Sequence, residues 1–251
     1  MDLSLLLRFG LLLIRTSTLV VTSPVLGGTY APPTFKIGLS VLLTLVLVPV
    51  VPVPESLAAA SMPLVAAREF LIGFALALSI RVLVSAAELG GYLVGFQLGF
   101  SYAGIIDPQS GVRNNVVAAM YAGLTTLTLV GINAHHALIR ALAGSYEAMP
   151  LGAGSLNASM AGTIAAMLGA IFRVGLQLAA PVVLVLCLVE VLLGIITRAA
   201  PALNLMVVGA PIRLLVGLAA LVAGIQVVPG LTADLVHYGL ELAVRLAGAV
   251  R

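Results

Sequence analysis

The sequence predicts an all-α membrane protein of about six long, broken hydrophobic helices. Three observations predict it. Of 251 residues, 61% are hydrophobic and 8% charged, with a mean hydropathy of +1.21. Twelve basic and nine acidic residues stand against about 63 charges usual for a soluble domain of this length. Apolar runs approach or exceed the ~20 residues that cross hydrocarbon, and Gly-, Pro- and Asn-rich stretches separate them. So few charges cannot make a polar skin, which excludes a cytosolic enzyme, a disordered chain and a nucleic-acid binder. A single domain over residues 1–251 is expected.

The first span runs from Leu3 to Pro24, with Gly27-Gly28 beyond it. Arg8 and Arg15 lie seven residues apart in it, on one helical face. The opening Met1-Asp2-Leu3-Ser4 has no basic n-region, so it reads as a retained span rather than a signal peptide. Ile37 to Pro54 is an uncharged run closed by Pro49, Pro52 and Pro54. Met62 to Phe100 carries Arg68, Glu69, Arg81 and Glu88. Turn formers break the chain from Phe100 to Asn115: Gly104, Asp107-Pro108-Gln109-Ser110-Gly111 and Asn114-Asn115. Val116 to Leu142 is the next apolar block, and Gly144 to Asn157 reads as a polar loop. Ala158 to Thr197 reads as two spans or one hairpin with tilted arms, interrupted by Arg173, Pro181 and Glu190. Pro201 breaks the chain before the last run, Leu205 to Thr232. The tail Asp234 to Arg251 reads as an amphipathic helix.

Charges sit near the middle of most blocks, where each costs at least ~2.5–3.5 kcal/mol in hydrocarbon. Such residues face protein or water, so much of this surface is expected to contact other subunits instead of lipid. Basic residues are spaced evenly along the chain and do not assign an orientation.

Several motifs carry candidate chemistry. Gly91, Gly95 and Gly99 recur every four residues, the spacing of a helix-packing face. From Gly99 to Gly111, the bulky Phe100, Tyr102, Ile105 and Ile106 stand beside Asp107 in what glycines make irregular backbone. Two readings are open: an apolar constriction or plug, or an external loop packed on a neighbour. Arg68, Glu69, Arg81, Glu88, Arg173 and Glu190 are candidate intramembrane charges. Arg68-Glu69, and Arg81 with Glu88, are either structural pairs or a proton relay. His135-His136 has no metal-ligand spacing and marks a helix end near water. The lone Cys187 forms no internal disulfide. No nucleotide loop and no Gly-x-Ser-x-Gly elbow occurs, so no catalytic residue, cofactor or metal is expected. A secondary transporter or channel with broken helices is the competing reading, and an intramembrane enzyme a weaker one.

Three stretches carry a family resemblance. They are Gly95-Phe-Gln-Leu-Gly-Phe-Ser-Tyr-Ala-Gly-Ile-Ile-Asp-Pro-Gln-Ser110, Asn133-Ala-His-His-Ala-Leu-Ile139 and Ala200-Pro-Ala-Leu-Asn-Leu-Met-Val-Val-Gly-Ala-Pro211. In order and spacing they resemble FliR, the flagellar biosynthetic membrane protein family, and Met149-Pro150-Leu-Gly152 also fits. The resemblance implies a subunit of the flagellar type III export gate, in the bacterial inner membrane within the flagellar basal body. It implies helical hairpins in a helical assembly with FliP-, FliQ- and FlhB-type subunits, touching lipid and unfolded export substrates but no nucleic acid. It implies that Phe100, Tyr102, Ile105, Ile106 and Asp107 form a loop that plugs the pore, with energy supplied by partners. Tyr102 stands where another aromatic is common in the family, and His136 where an apolar residue often sits.

Overall fold

The computed structural model describes residues 3–28, 31–52, 62–100, 115–152, 159–200 and 205–233. All regular structure among the described residues is helical. The helices are α1 (Leu3–Thr22), α2 (Pro24–Gly27), α3 (Pro33–Leu47), α4 (Met62–Leu98), α5 (Val116–Gly131), α6 (Ala134–Ala148), α7 (Ser159–Ala199) and α8 (Leu205–Gly224). A short helical stretch follows over 227–233. The expected amphipathic tail, Asp234 to Arg251, lies outside the described residues.

Local chemistry explains most boundaries. Ser23 caps α2 by accepting the N–H groups of Val25 and Leu26, with Pro24 in the first turn. Proline also opens α3, where its missing N–H costs nothing. That helix stops at Leu47, ahead of Pro49, and its 15 residues fall short of a span. Among the described residues, four stretches are long and apolar enough to cross a membrane: Leu5–Thr22, Met62–Leu98, Ala165–Ala199 and Gly209–Ala233. The bent pair α5 and α6, at 68°, makes a fifth if taken as one. The all-α membrane fold of long hydrophobic helices is borne out, with four or five such elements among the described residues.

Two expectations are corrected. The run after Ala158 is neither two spans nor a hairpin: α7 is one 41-residue helix that continues through Pro181. At ~1.5 Å per residue it extends roughly 60 Å, about twice a hydrocarbon core. The polar loop at 144–157 begins later than its glycine suggested, because α6 runs to Ala148. The break falls instead at Asn133, whose φ of 59° is a left-handed conformation that asparagine tolerates.

The chain forms two compact units. Of the described residues, one gathers those within 1–83 and 129–169, the other those within 84–128 and 170–233. In the first, Leu12, Leu19, Ile72, Ile80, Leu138 and Leu142 are buried, and α1 packs on α3. In the second, Ala87, Val94, Tyr121, Leu178, Val182 and Leu186 are buried. Large apolar residues remain exposed along α7 and α8, among them Phe172, Leu188, Ile195, Leu215 and Val222.

Candidate functional site

Tyr102, Ile105, Ile106 and Asp107 lie outside the described residues, whereas both stems of their segment are described. The outgoing stem is the end of α4. Gly99, at φ 90°, donates its N–H to the Phe96 carbonyl at 3.1 Å, and the Phe100 N–H reaches the Gly95 carbonyl at 2.9 Å. These two bonds close a Schellman motif, which satisfies the last carbonyls of the helix and needs a residue free to adopt positive φ. Gly99 thus stops α4. Phe100, just past the stop, is exposed.

The returning stem is Asn115 and the first turn of α5. The Asn115 Oδ1 accepts the N–H groups of Val117 at 3.0 Å and Ala118 at 3.2 Å, a helix N-cap. Its Nδ2 donates to the Tyr92 carbonyl of α4 at 3.1 Å. Gly91 and Gly95 make this approach possible. A Cβ on Gly91 would lie 2.6 Å from the Ala118 Cα, and one on Gly95 would overlap the Asn115 amide. The neighbouring face of α4 does the same for another helix: a Cβ on Gly90 would meet the Gly175 carbonyl of α7 at 2.9 Å. Gly90, Gly175 and Asn115 were not among the sequence-derived candidates. The doublets Ala86-Ala87 and Gly90-Gly91, four residues apart, were the available signal for two small-residue faces.

The candidate charges divide. Glu69 pairs with Arg15 of α1 at 2.6 Å, and both side chains are wholly buried. Arg15 also donates to Ser145 Oγ at 2.9 Å and to the Met149 carbonyl at 3.2 Å, and its guanidinium lies 4.1 Å from the centre of the Tyr146 ring. The second carboxylate oxygen of Glu69 accepts the Gly152 N–H at 3.0 Å. Arg68 turns away from Glu69 and donates to the Gly152 carbonyl at 3.0 Å. The adjacent pair Arg68-Glu69 is therefore not self-paired; its members clasp the same glycine from both sides. Charged groups this deep need such saturation of donors and acceptors.

No ion pair joins Arg81 to Glu88. Arg81 is exposed and Glu88 half-buried, and seven residues of helix separate them by ~10.5 Å. Glu190 pairs with Arg213 of α8 at 3.0 Å, and Arg173 lies on an exposed face of α7. His135 and His136 open α6, their ring centroids 4.2 Å apart. No group of three or more potential metal ligands occurs among the described residues.

A family model described as "Bacterial export proteins, family 1" matches residues 6–238. The chain is 32% identical over 224 residues to the flagellar biosynthetic protein FliR of Bacillus subtilis (strain 168), covering 88% of this chain and 86% of that one. It is 33% identical over 218 residues to the FliR of Pectobacterium carotovorum subsp. carotovorum, covering 86% and 83%. With the FliR of Escherichia coli (strain K12) it shares 30% over 212 residues, covering 84% and 81%.

Proposed function

The chain belongs to the FliR family of bacterial export proteins, and we infer that it is a membrane subunit of the flagellar type III export gate, helping to form and plug the pore for unfolded flagellar proteins. It is a membrane protein of the flagellar apparatus and works there with other components. Those components are, in our reading, FliP-, FliQ- and FlhB-type subunits in the bacterial inner membrane. Its role is structural, without catalysis or a cofactor. The exposed apolar faces of α7 and α8 support this reading, since they offer helical partners a surface as apolar as lipid.

The observation that carries the pore reading is the clamped α4–α5 mouth, from which the segment bearing Tyr102, Ile105, Ile106 and Asp107 departs and to which it returns. An apolar tip with Phe100 at its base would exclude water and ions at rest by dewetting. An unfolded substrate would displace it by offering its own apolar side chains. Replacing Phe100, Tyr102, Ile105 and Ile106 together by glycine should make the reconstituted gate leak potassium from liposomes. An unchanged conductance would sink the plug.

A further inference from the structure

Between Ala67 and Arg81, α4 leaves one narrow line of itself uncovered. Ile72, Ala75, Leu76, Ala77, Ser79 and Ile80 are buried. Ala67, Phe70, Phe74 and Arg81 are exposed, with Leu78 half-buried between the last two. Steps of three and four residues put these five on one helical face, a single side chain wide, which is the geometry of a contact with one other helix. The Phe70 and Phe74 rings stack along it, their centroids 6.1 Å apart. Arg81 is the one charge among the five, and among the described residues it makes no ion pair and no side-chain hydrogen bond. Arg15 and Arg68 of the same unit differ in this, since Glu69 and the Gly152 carbonyl engage them.

A crossing takes about 20 residues, and every window of that length in the 37-residue α4 contains Arg81: the earliest runs 62–81 and the latest 79–98. Wherever this helix crosses, its uncovered guanidinium crosses with it, and lipid tails offer it no acceptor. Setting Arg81 at headgroup level, at one end of such a window, puts either Phe70 and Phe74 or Tyr92 and Phe96 in water, and all four are exposed. Protein cover serves the aromatic rings and the charge together. We propose that the line from Ala67 to Arg81 docks one apolar helix of another gate subunit, and that this helix carries an aspartate or glutamate paired with Arg81. The proposal rests on the export-gate reading given above and adds the chemistry of one partner contact. The rings supply packing area, and the planar guanidinium takes a carboxylate in a two-bond fork. The ion pair sets the register, because sliding the partner by one turn, ~5.4 Å, strands both charges without water.

The test uses complete gates, purified from membranes with their partner subunits. With Phe74 replaced by the photo-crosslinker benzoylphenylalanine, the chain should join one partner peptide. An aspartate or glutamate should lie within about two turns of the joined residue, since Phe74 and Arg81 are ~10.5 Å apart along the helix. Arg81→Glu should cut recovery of that partner at least about tenfold, as expected when like charges face each other in a desolvated contact. Changing the partner's carboxylate to arginine in the same cells should restore it. This exchange also decides the matter if Arg81→Glu alone keeps the chain from accumulating. An Arg81→Glu gate with its full complement of partners would overturn the docking line and leave the gate reading standing. So would a joined peptide with no carboxylate in reach, or a loss that the exchange does not repair. If Arg81→Glu keeps its partners and lowers the melting temperature only in vesicles containing phosphatidylglycerol, Arg81 serves a lipid headgroup and the proposal falls. A wild-type chain that purifies with no membrane partner would fell the gate reading itself.

Discussion

In one compact unit, Arg15 meets Glu69 with both side chains wholly buried, and four further hydrogen bonds and one cation–π contact saturate the pair and its neighbour Arg68. In the other, α4 holds its neighbours through absences: Gly90 against Gly175, Gly91 against Ala118, Gly95 against Asn115. The contrast teaches what each kind of contact is suited to. A desolvated charge cluster is directional and all-or-none, because losing one member strands another without water. A glycine seam holds backbones by close packing over a few residues, so it tolerates small displacements and fails chiefly when filled. The unit with the seam is the one that carries the segment proposed to move.

The largest expected effect breaks the first region. Arg15→Leu leaves Glu69 buried and unpaired at a cost of about 3–5 kcal/mol, enough to remove the chain from membranes in an immunoblot. Arg15→Leu with Glu69→Leu should restore much of the accumulation, since an apolar pair strands no charge. A single mutant that accumulates normally would show that the cluster does not hold its unit together.

A smaller effect is expected at the seam. Gly91→Leu forces a side chain into the Ala118 backbone, at about 1–3 kcal/mol for overpacking. Gly123→Leu on α5, where nothing lies within 4 Å of an added Cβ, is the matched control. The thermal aggregation temperature of the purified gate should fall for the first and not for the second. Equal responses would mean that glycine content, not close approach, matters here.

The smallest effect concerns the ion pair of α7 and α8. The Arg213 and Glu190 side chains are 33% and 38% exposed, so Glu190→Gln should cost about 0–1 kcal/mol in the isolated chain in detergent. Repeating the melt with partner subunits present sharpens the comparison. A much larger loss in the assembly would mean that partners cover this pair and make it resemble the Arg15 cluster.

Much of the fold was legible from local patterns. Apolar runs marked the crossing helices, and Ser23-Pro24 and Gly99 marked helix ends, because hydropathy and capping act within a few residues. Misreadings fell where local signals conflicted with packing. Pro181 suggested a break that α7 absorbs, and Gly144 suggested a loop that α6 overrides. The motif from Gly95 to Ser110 pointed to the family, and to the segment whose stems are now described.

The sequence by itself determined that this is a helical membrane protein, which family it resembles, and that its scarce charges must be sheltered. Composition and short-range spacing suffice for those conclusions. Only the tertiary structure decided which charge shelters which. Arg15 and Glu69 lie 54 residues apart, and no spacing rule connects them. It also decided that Asn115 bridges two helices. Those roles depend on which backbones approach, a property of the packed chain and not of any window of residues.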